Sequence, residues 1–189
     1  MARGLRGTIA RLAVDALQVA TRRLTRGRGE GRASRADGAS HGGRVPGPGA
    51  PVGVETVEVR PENVGDLRLS YAPQPDGEPD AGEIVWTWVP YVENDGRGKD
   101  RPVLVIARHG AQRVYAVKLT SRSREGDREY TPIGSGAWDA AGRESWADLD
   151  QLYSVHLNGM RREAAALDRE RFARVAAALR HRYGWIAEG

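Results

Sequence analysis

Three stretches, EIVWTWVPYV (83–92), RPVLVIARH (101–109) and RVYAVKLTS (113–121), decide how this chain of 189 residues folds. Each is dense in β-branched and aromatic side chains and is bounded by turn formers, which marks a strand rather than a helix. Gly110, Ala111 and Gln112 make a link short enough to join the second and third as a hairpin. Upstream, Val57 and Val59, then Leu67, Leu69 and Tyr71, alternate at strand period, with Pro61 and Gly65 between the two sets. The segment APQPDGEPDAG (72–82) is a turn-rich break. Downstream, weaker strand patterns lie at 130–133, 146–149 and 152–155. The chain then closes on a helix: Asp168 stands at its N-cap, Phe172, Val175, Ala176, Leu179 and Tyr183 form its apolar stripe, and Gly184 its C-cap. The expected class is α+β, mainly β, with a strongly curved, partly open antiparallel barrel and one terminal helix built from residues 54–189. That length suffices for one core.

Residues 1–53 read differently. Leu5, Ile9, Leu12, Ala16, Val19, Ala20 and Leu24 recur at helical spacing, with Arg11, Asp15, Gln18, Arg22 and Arg26 opposite them. Residues 1–25 are therefore expected to form an isolated basic amphipathic helix. Open readings for it are a marginally ordered tail, an anchor on an anionic membrane or nucleic acid, a dock for a partner, and a presequence-like segment. Arg11 and Asp15 interrupt any hydrophobic run, so it is no secretory signal. Residues 26–53 hold nine glycines and three prolines and almost no large apolar side chain, as expected of a flexible linker.

Charge follows the same division. Residues 1–50 carry ten arginines against three acids, a net of +7, whereas residues 51–189 carry nineteen basic and twenty-two acidic side chains, a net of −3. The basic isoelectric point therefore belongs to the tail. Only Lys99 and Lys118 are lysines, a skew that genome composition explains as readily as function. Arginine abundance alone is thus no argument for nucleic-acid binding.

Several chemistries drop out at once. The chain has no cysteine, which removes disulfides, thiolate metal sites and cysteine nucleophiles. His41, His109, His156 and His181 have no metal-ligand spacing, and there is no Gly-rich phosphate loop or GxSxG. His109 and His156, at strand ends, read as surface residues. No run of about 18 apolar residues exists.

What stands out is the polar loop at 93–100, which leads into Arg101-Pro102 at the head of a hydrophobic strand. Pro102 restricts Arg101 to extended geometry. The next strand ends in Thr120, Ser121 and Arg122, so a hairpin of the two brings the Arg101 guanidinium and two hydroxyls to one sheet edge. Such donors suit a phosphate. The competing reading pairs Arg101 with Asp100 or Asp150 in a salt bridge. Trp86 and Trp88 share one strand face with Ile84. They read as core, with stacking on unpaired bases as the alternative.

The segments GEIVW (82–86), RPVLVI (101–106), KLTS (118–121) and LDQL (149–152), followed by a final helix, resemble the MazF/PemK toxins of bacterial toxin–antitoxin systems over residues 81–185. The resemblance implies an SH3-like barrel, a homodimer, and a metal-independent, sequence-specific endoribonuclease of the cytoplasm that needs no cofactor. It implies Arg101 and Thr120 as the catalytic pair, with Arg97, Gly98, Lys99, Ser121, Arg122, Asp150 and Gln151 binding substrate. It further implies single-stranded RNA as substrate, cut by attack of the ribose 2′-OH, and a cognate antitoxin with an acidic disordered segment as partner. Three departures stand out: Lys118 where many members have proline, an insertion-like stretch at 124–144, and the tail. The remaining readings are a gyrase poison of the CcdB kind, echoed in Gly184-Trp185-Ile186, and a non-catalytic binding module on the same barrel.

Overall fold

The computed structural model describes residues 53–91 and 97–188. The expected tail helix, nearly all of the linker and part of the 93–100 loop lie outside the described residues. The elements run in the order β1 (Val57–Val59), a 3-10 turn (Pro61–Asn63), β2 (Arg68–Ser70), β3 (Glu83–Pro90), β4 (Gly98–Arg108), β5 (Arg113–Thr120) and β6 (Tyr130–Gly134). There follow β7 (Ser145–His156), a second 3-10 turn (Leu157–Gly159), β8 (Met160–Ala166), α1 (Arg169–Tyr183) and β9 (Ile186–Glu188). The two strand patterns at 146–149 and 152–155 are one long strand, β7. Its one edge pairs with β5, while the other pairs with β6 in its first half and β1 in its second.

The main sheet is antiparallel in the order β1-β7-β5-β4-β3-β8, with β6 added on β7, while β2 and β9 form a separate parallel pair. Three strands separate β1 from β3, so a flat sheet would hold these two about 19 Å apart. Yet Thr56, at the entrance to β1, and Thr87 on β3 share a buried hydroxyl–hydroxyl bond of 2.7 Å. Thr87 gives its own proton to the Gly159 carbonyl at 2.8 Å, so Thr56 is the donor to Thr87. The sheet is therefore rolled into the partly open barrel that its pattern of short strands implies.

Both faces of the roll are buried, which explains the nearly continuous apolar runs of β4 and β5. Val85, Val89, Val103, Val105, Val114, Ala116, Tyr153, Val155 and Met160 pack on one side. Ile84, Leu104, Ile106, Val117 and Leu119 face the other, where α1 covers them with Phe172, Val175, Ala176 and Leu179. The helix begins where Asp168 accepts the Arg171 N–H at 2.9 Å and ends at Gly184 in the left-handed region (φ 75°). His156 departs from its expected surface position. It is 8% exposed, bonded to Gln112 and accepting the Asn158 N–H, because β7 runs through the middle of the sheet.

Gly82 starts β3 at φ 105°, and a methyl group there would stand 2.6 Å from the Tyr71 ring. Tyr71 cannot yield freely: its hydroxyl donates to the Leu167 carbonyl at 2.8 Å and its ring lies 5.5 Å from Phe172. Gly82→Ala is expected to cost about 2 kcal/mol or more in urea unfolding, from strain and crowding together. A loss below about 0.5 kcal/mol would contradict this packing.

Candidate active site

Strands β4 and β5 pair in a register that sets Val103 against Lys118, Leu104 against Val117 and Val105 against Ala116. The ladder stops there, directly after Pro102, which has no N–H to donate. Arg101 lies two residues beyond Val103, and Thr120 two beyond Lys118. With side chains alternating along each strand, all four occupy one face. Arg101 and Thr120 line a single cleft of about 540 Å³, with Lys99, Asp100, Pro102, Ser121, Arg122 and Trp86 around them.

Its opposite wall comes from the insertion-like stretch, through Ala137, Trp138, Asp139 and Arg143. Trp138 is 4% exposed and its indole donates to Ser145 at 3.2 Å, while Arg171 of α1 holds the Ser135 carbonyl at 2.9 Å. Asp139 ties the loop together. The Arg143 side chain at 2.8 Å, then the Ala141 N–H, hold its carboxyl below the usual carboxylate range. The sequence carried no periodic signal for this wall.

Charge distinguishes the cleft. Among the described residues, no carboxylate forms an ion pair with Lys99, Arg101 or Arg122, and no hydrogen bond reaches the Arg101 guanidinium. The two carboxylates that competed for Arg101 are engaged elsewhere. Asp100 pairs with Arg161 at 2.8 Å, and Asp150 pairs with Arg182. The Thr120 hydroxyl oxygen accepts the Arg122 N–H at 3.2 Å, leaving its own proton available to a ligand. Lys99, Arg101, Arg122 and Thr120 thus line one cavity in a body of net charge −3, which focuses positive potential there.

The other expected binding residues lie apart from the cleft wall. Gly98 packs under Trp88, whose indole nitrogen would stand 2.6 Å from an added methyl. Arg97 is exposed and uses its carbonyl to accept the Tyr91 N–H at 3.0 Å. Gln151 belongs to a network on the same strand face as Lys118. It accepts from Lys118 and from the Tyr153 hydroxyl (3.2 Å), and donates to Glu58 at 3.3 Å. Lys118 also pairs with Asp148 at 3.2 Å, a carboxylate only 4% exposed whose other oxygen accepts the Asp150 N–H at 3.0 Å. Burial, reinforced by Glu58 and Asp148, pushes the Tyr153 phenol well up, so it stays a donor. Trp185 is 2% exposed and bonded to the Val64 carbonyl at 2.9 Å, which withdraws it from any partner-contacting role of the gyrase-poison kind.

The family model of PemK-like, MazF-like toxins of type II toxin–antitoxin systems matches residues 80–182. The chain belongs to this family. The match spans β3 to the last turn of α1 and so includes both walls of the cleft. Among solved structures, the MazE–MazF crystal structure (Form-II) from Deinococcus radiodurans is 21% identical with a TM-score of 0.44, covering 56% of this chain and 96% of that one. The Mycobacterium tuberculosis toxin MazF-mt6 is 16% identical with a TM-score of 0.41, covering 55% and 97%. An endoribonuclease from Mycobacterial species is 13% identical with a TM-score of 0.41, covering 57% and 94%. No curated protein matches the chain. Among the described residues of this MazF-like toxin, no group of three or more His, Asp or Glu forms a cation site, and no helix is long and apolar enough to cross a membrane.

The Lys118 ammonium is what compensates the buried Asp148 carboxylate. Lys118→Met is expected to cost about 3 kcal/mol in urea unfolding, because it strands a buried carboxylate. Adding Asp148→Asn should recover more than half of that loss. A single-variant cost under about 1 kcal/mol would show the pair to be dispensable.

Proposed function

We propose that the chain is an endoribonuclease toxin that cuts single-stranded RNA with Arg101 and Thr120 and without a metal ion. The observation that carries the reading is that Arg101, which no carboxylate or hydrogen bond engages among the described residues, and Thr120, whose hydroxyl proton is available, line one cleft with Lys99 and Arg122. A scissile phosphate seated there meets a planar fork of N–H donors from Arg101, a geometry that lysine does not provide. The ribose 2′-oxygen attacks the adjacent phosphorus and forms the O2′–P bond. The P–O5′ bond breaks, the 2′-OH loses its proton and the departing 5′-oxygen gains one. The products are a 2′,3′-cyclic phosphate and a free 5′-hydroxyl. Negative charge grows on the phosphorane oxygens during this step, and Arg101 and Thr120, as donors lining the cleft, stabilise it.

The same three cations suit an acidic, disordered antitoxin segment, the partner that a type II system calls for. Competition for the cleft would then silence the toxin. A cytoplasmic homodimer belongs to the same reading.

Full-length protein incubated with a long single-stranded RNA in EDTA should give discrete fragments ending in 2′,3′-cyclic phosphate. Arg101→Ala and Arg101→Lys should each lower the rate by about a hundredfold or more, and Thr120→Val by about tenfold or more at an unchanged melting temperature. Wild-type cutting by a folded Arg101→Ala protein would overturn the assignment.

A further inference from the structure

One wall of the cleft holds two polar atoms that no group among the described residues satisfies. The Trp86 indole nitrogen and the Asp100 carboxylate oxygen Oδ1 are both shielded from solvent and without a hydrogen-bond partner. Leaving such a donor or acceptor unmade costs about 1–3 kcal/mol each. They belong together. Trp86 is opposite Arg161 of β8, and Asp100 is opposite Trp88. By the strand alternation Trp86 and Asp100 therefore lie on one face and Arg101, the residue after Asp100, on the other, so the cleft at this rim is lined from both faces. Arg161 joins the two: its guanidinium donates to Asp100 Oδ2 at 2.8 Å and its carbon lies 5.6 Å from the Trp86 ring centre. The held oxygen fixes the direction of the free one.

The two unsatisfied atoms have opposite and fixed capacities. An indole N–H only donates, and an ionised carboxylate oxygen only accepts. A phosphate would satisfy the first and be repelled by the second. A nucleobase edge, which offers a ring or carbonyl acceptor beside an N–H donor, satisfies both. We propose that Trp86 and Asp100 form the base-reading subsite of the cleft, with the indole donating to a base acceptor and Asp100 Oδ1 accepting from a base N–H. The inference rests on the RNA-cleaving reading and adds to it the residues that select where RNA is cut. Neither atom can invert its role, so the pair accepts one order of acceptor and donor and leaves a buried group unpaired against the other order. Direct edge contacts of this kind are worth about 1–3 kcal/mol of discrimination, which is about fivefold or more between bases.

The test uses full-length wild type, Asp100→Asn and Trp86→Phe, each incubated with a randomised single-stranded RNA pool whose cut ends are sequenced. Rates are then measured on the preferred oligonucleotide and on its three single-base replacements at the most selective position. Asp100→Asn keeps the shape while replacing an acceptor with an amide that also donates, and Trp86→Phe keeps the ring while deleting the donor. Wild type should prefer one base, and each variant should reduce that preference by about fivefold or more, chiefly through slower cutting of the preferred oligonucleotide. An unchanged preference in Asp100→Asn, whether or not the overall rate falls, would overturn the subsite, and this variant decides if Trp86→Phe does not fold. A wild type that cuts no RNA would remove the parent reading and this one together. A wild type that cuts with a preference unaltered in both variants would remove this one alone.

Discussion

The register of β4 on β5 is the constraint on which the rest of the molecule depends. Pairing Val103 with Lys118 puts Arg101 and Thr120 on the same face at the free ends of their strands. A slip of one residue would turn one of the two to the other side of the sheet. That slip is costly because both faces are buried: Val103 and Val105 fill one core, Leu104 and Ile106 the other, and all four are at most 1% exposed. The hydrophobic packing of the barrel therefore sets the geometry of the polar cleft at its rim. Pro102 contributes twice, holding Arg101 extended and standing where the ladder stops.

The cleft's chemistry follows from where the acids go. Asp100 and Asp139 line it, Asp148 and Asp150 follow on β7, and each has a basic partner other than Arg101. The pairings engage Arg161, Arg143, Lys118 and Arg182, and among the described residues leave Lys99, Arg101 and Arg122 without an acidic partner at the cleft. An acidic body can in this way present a positive site without an excess of basic residues. At the surface such pairs add little stability. Here they direct charge.

Much of this was legible in the sequence, and the misses have physical reasons. The runs at 83–92, 101–109 and 113–121 announced their strands because β-branched residues crowd both faces, and Asp168 and Gly184 marked the helix because caps are local chemistry. β8 was not foreseen. Its sequence, MRREAAA, is composed of good helix formers and becomes a strand because it completes the edge of β3. That Arg101 and Thr120 come to line one cleft was legible because a hairpin register is short-range. Trp86, read mainly as core, is half-buried and lines the cleft, since strand periodicity cannot say where a sheet face ends and a rim begins. The wall from Ala137 to Arg143 depends on the fold of an insertion with no periodicity of its own.

The central claim is that Arg101 meets the scissile phosphate. It is tested most directly by the salt dependence of binding to a 2′-deoxy single strand that cannot be cut. Each phosphate neutralised on a single strand contributes about 0.7 to the slope of log K against log salt. Comparing wild type with Arg101→Ala should show that slope fall by about 0.7, with weaker binding at every salt concentration. Identical slopes and affinities in the two proteins would contradict the account.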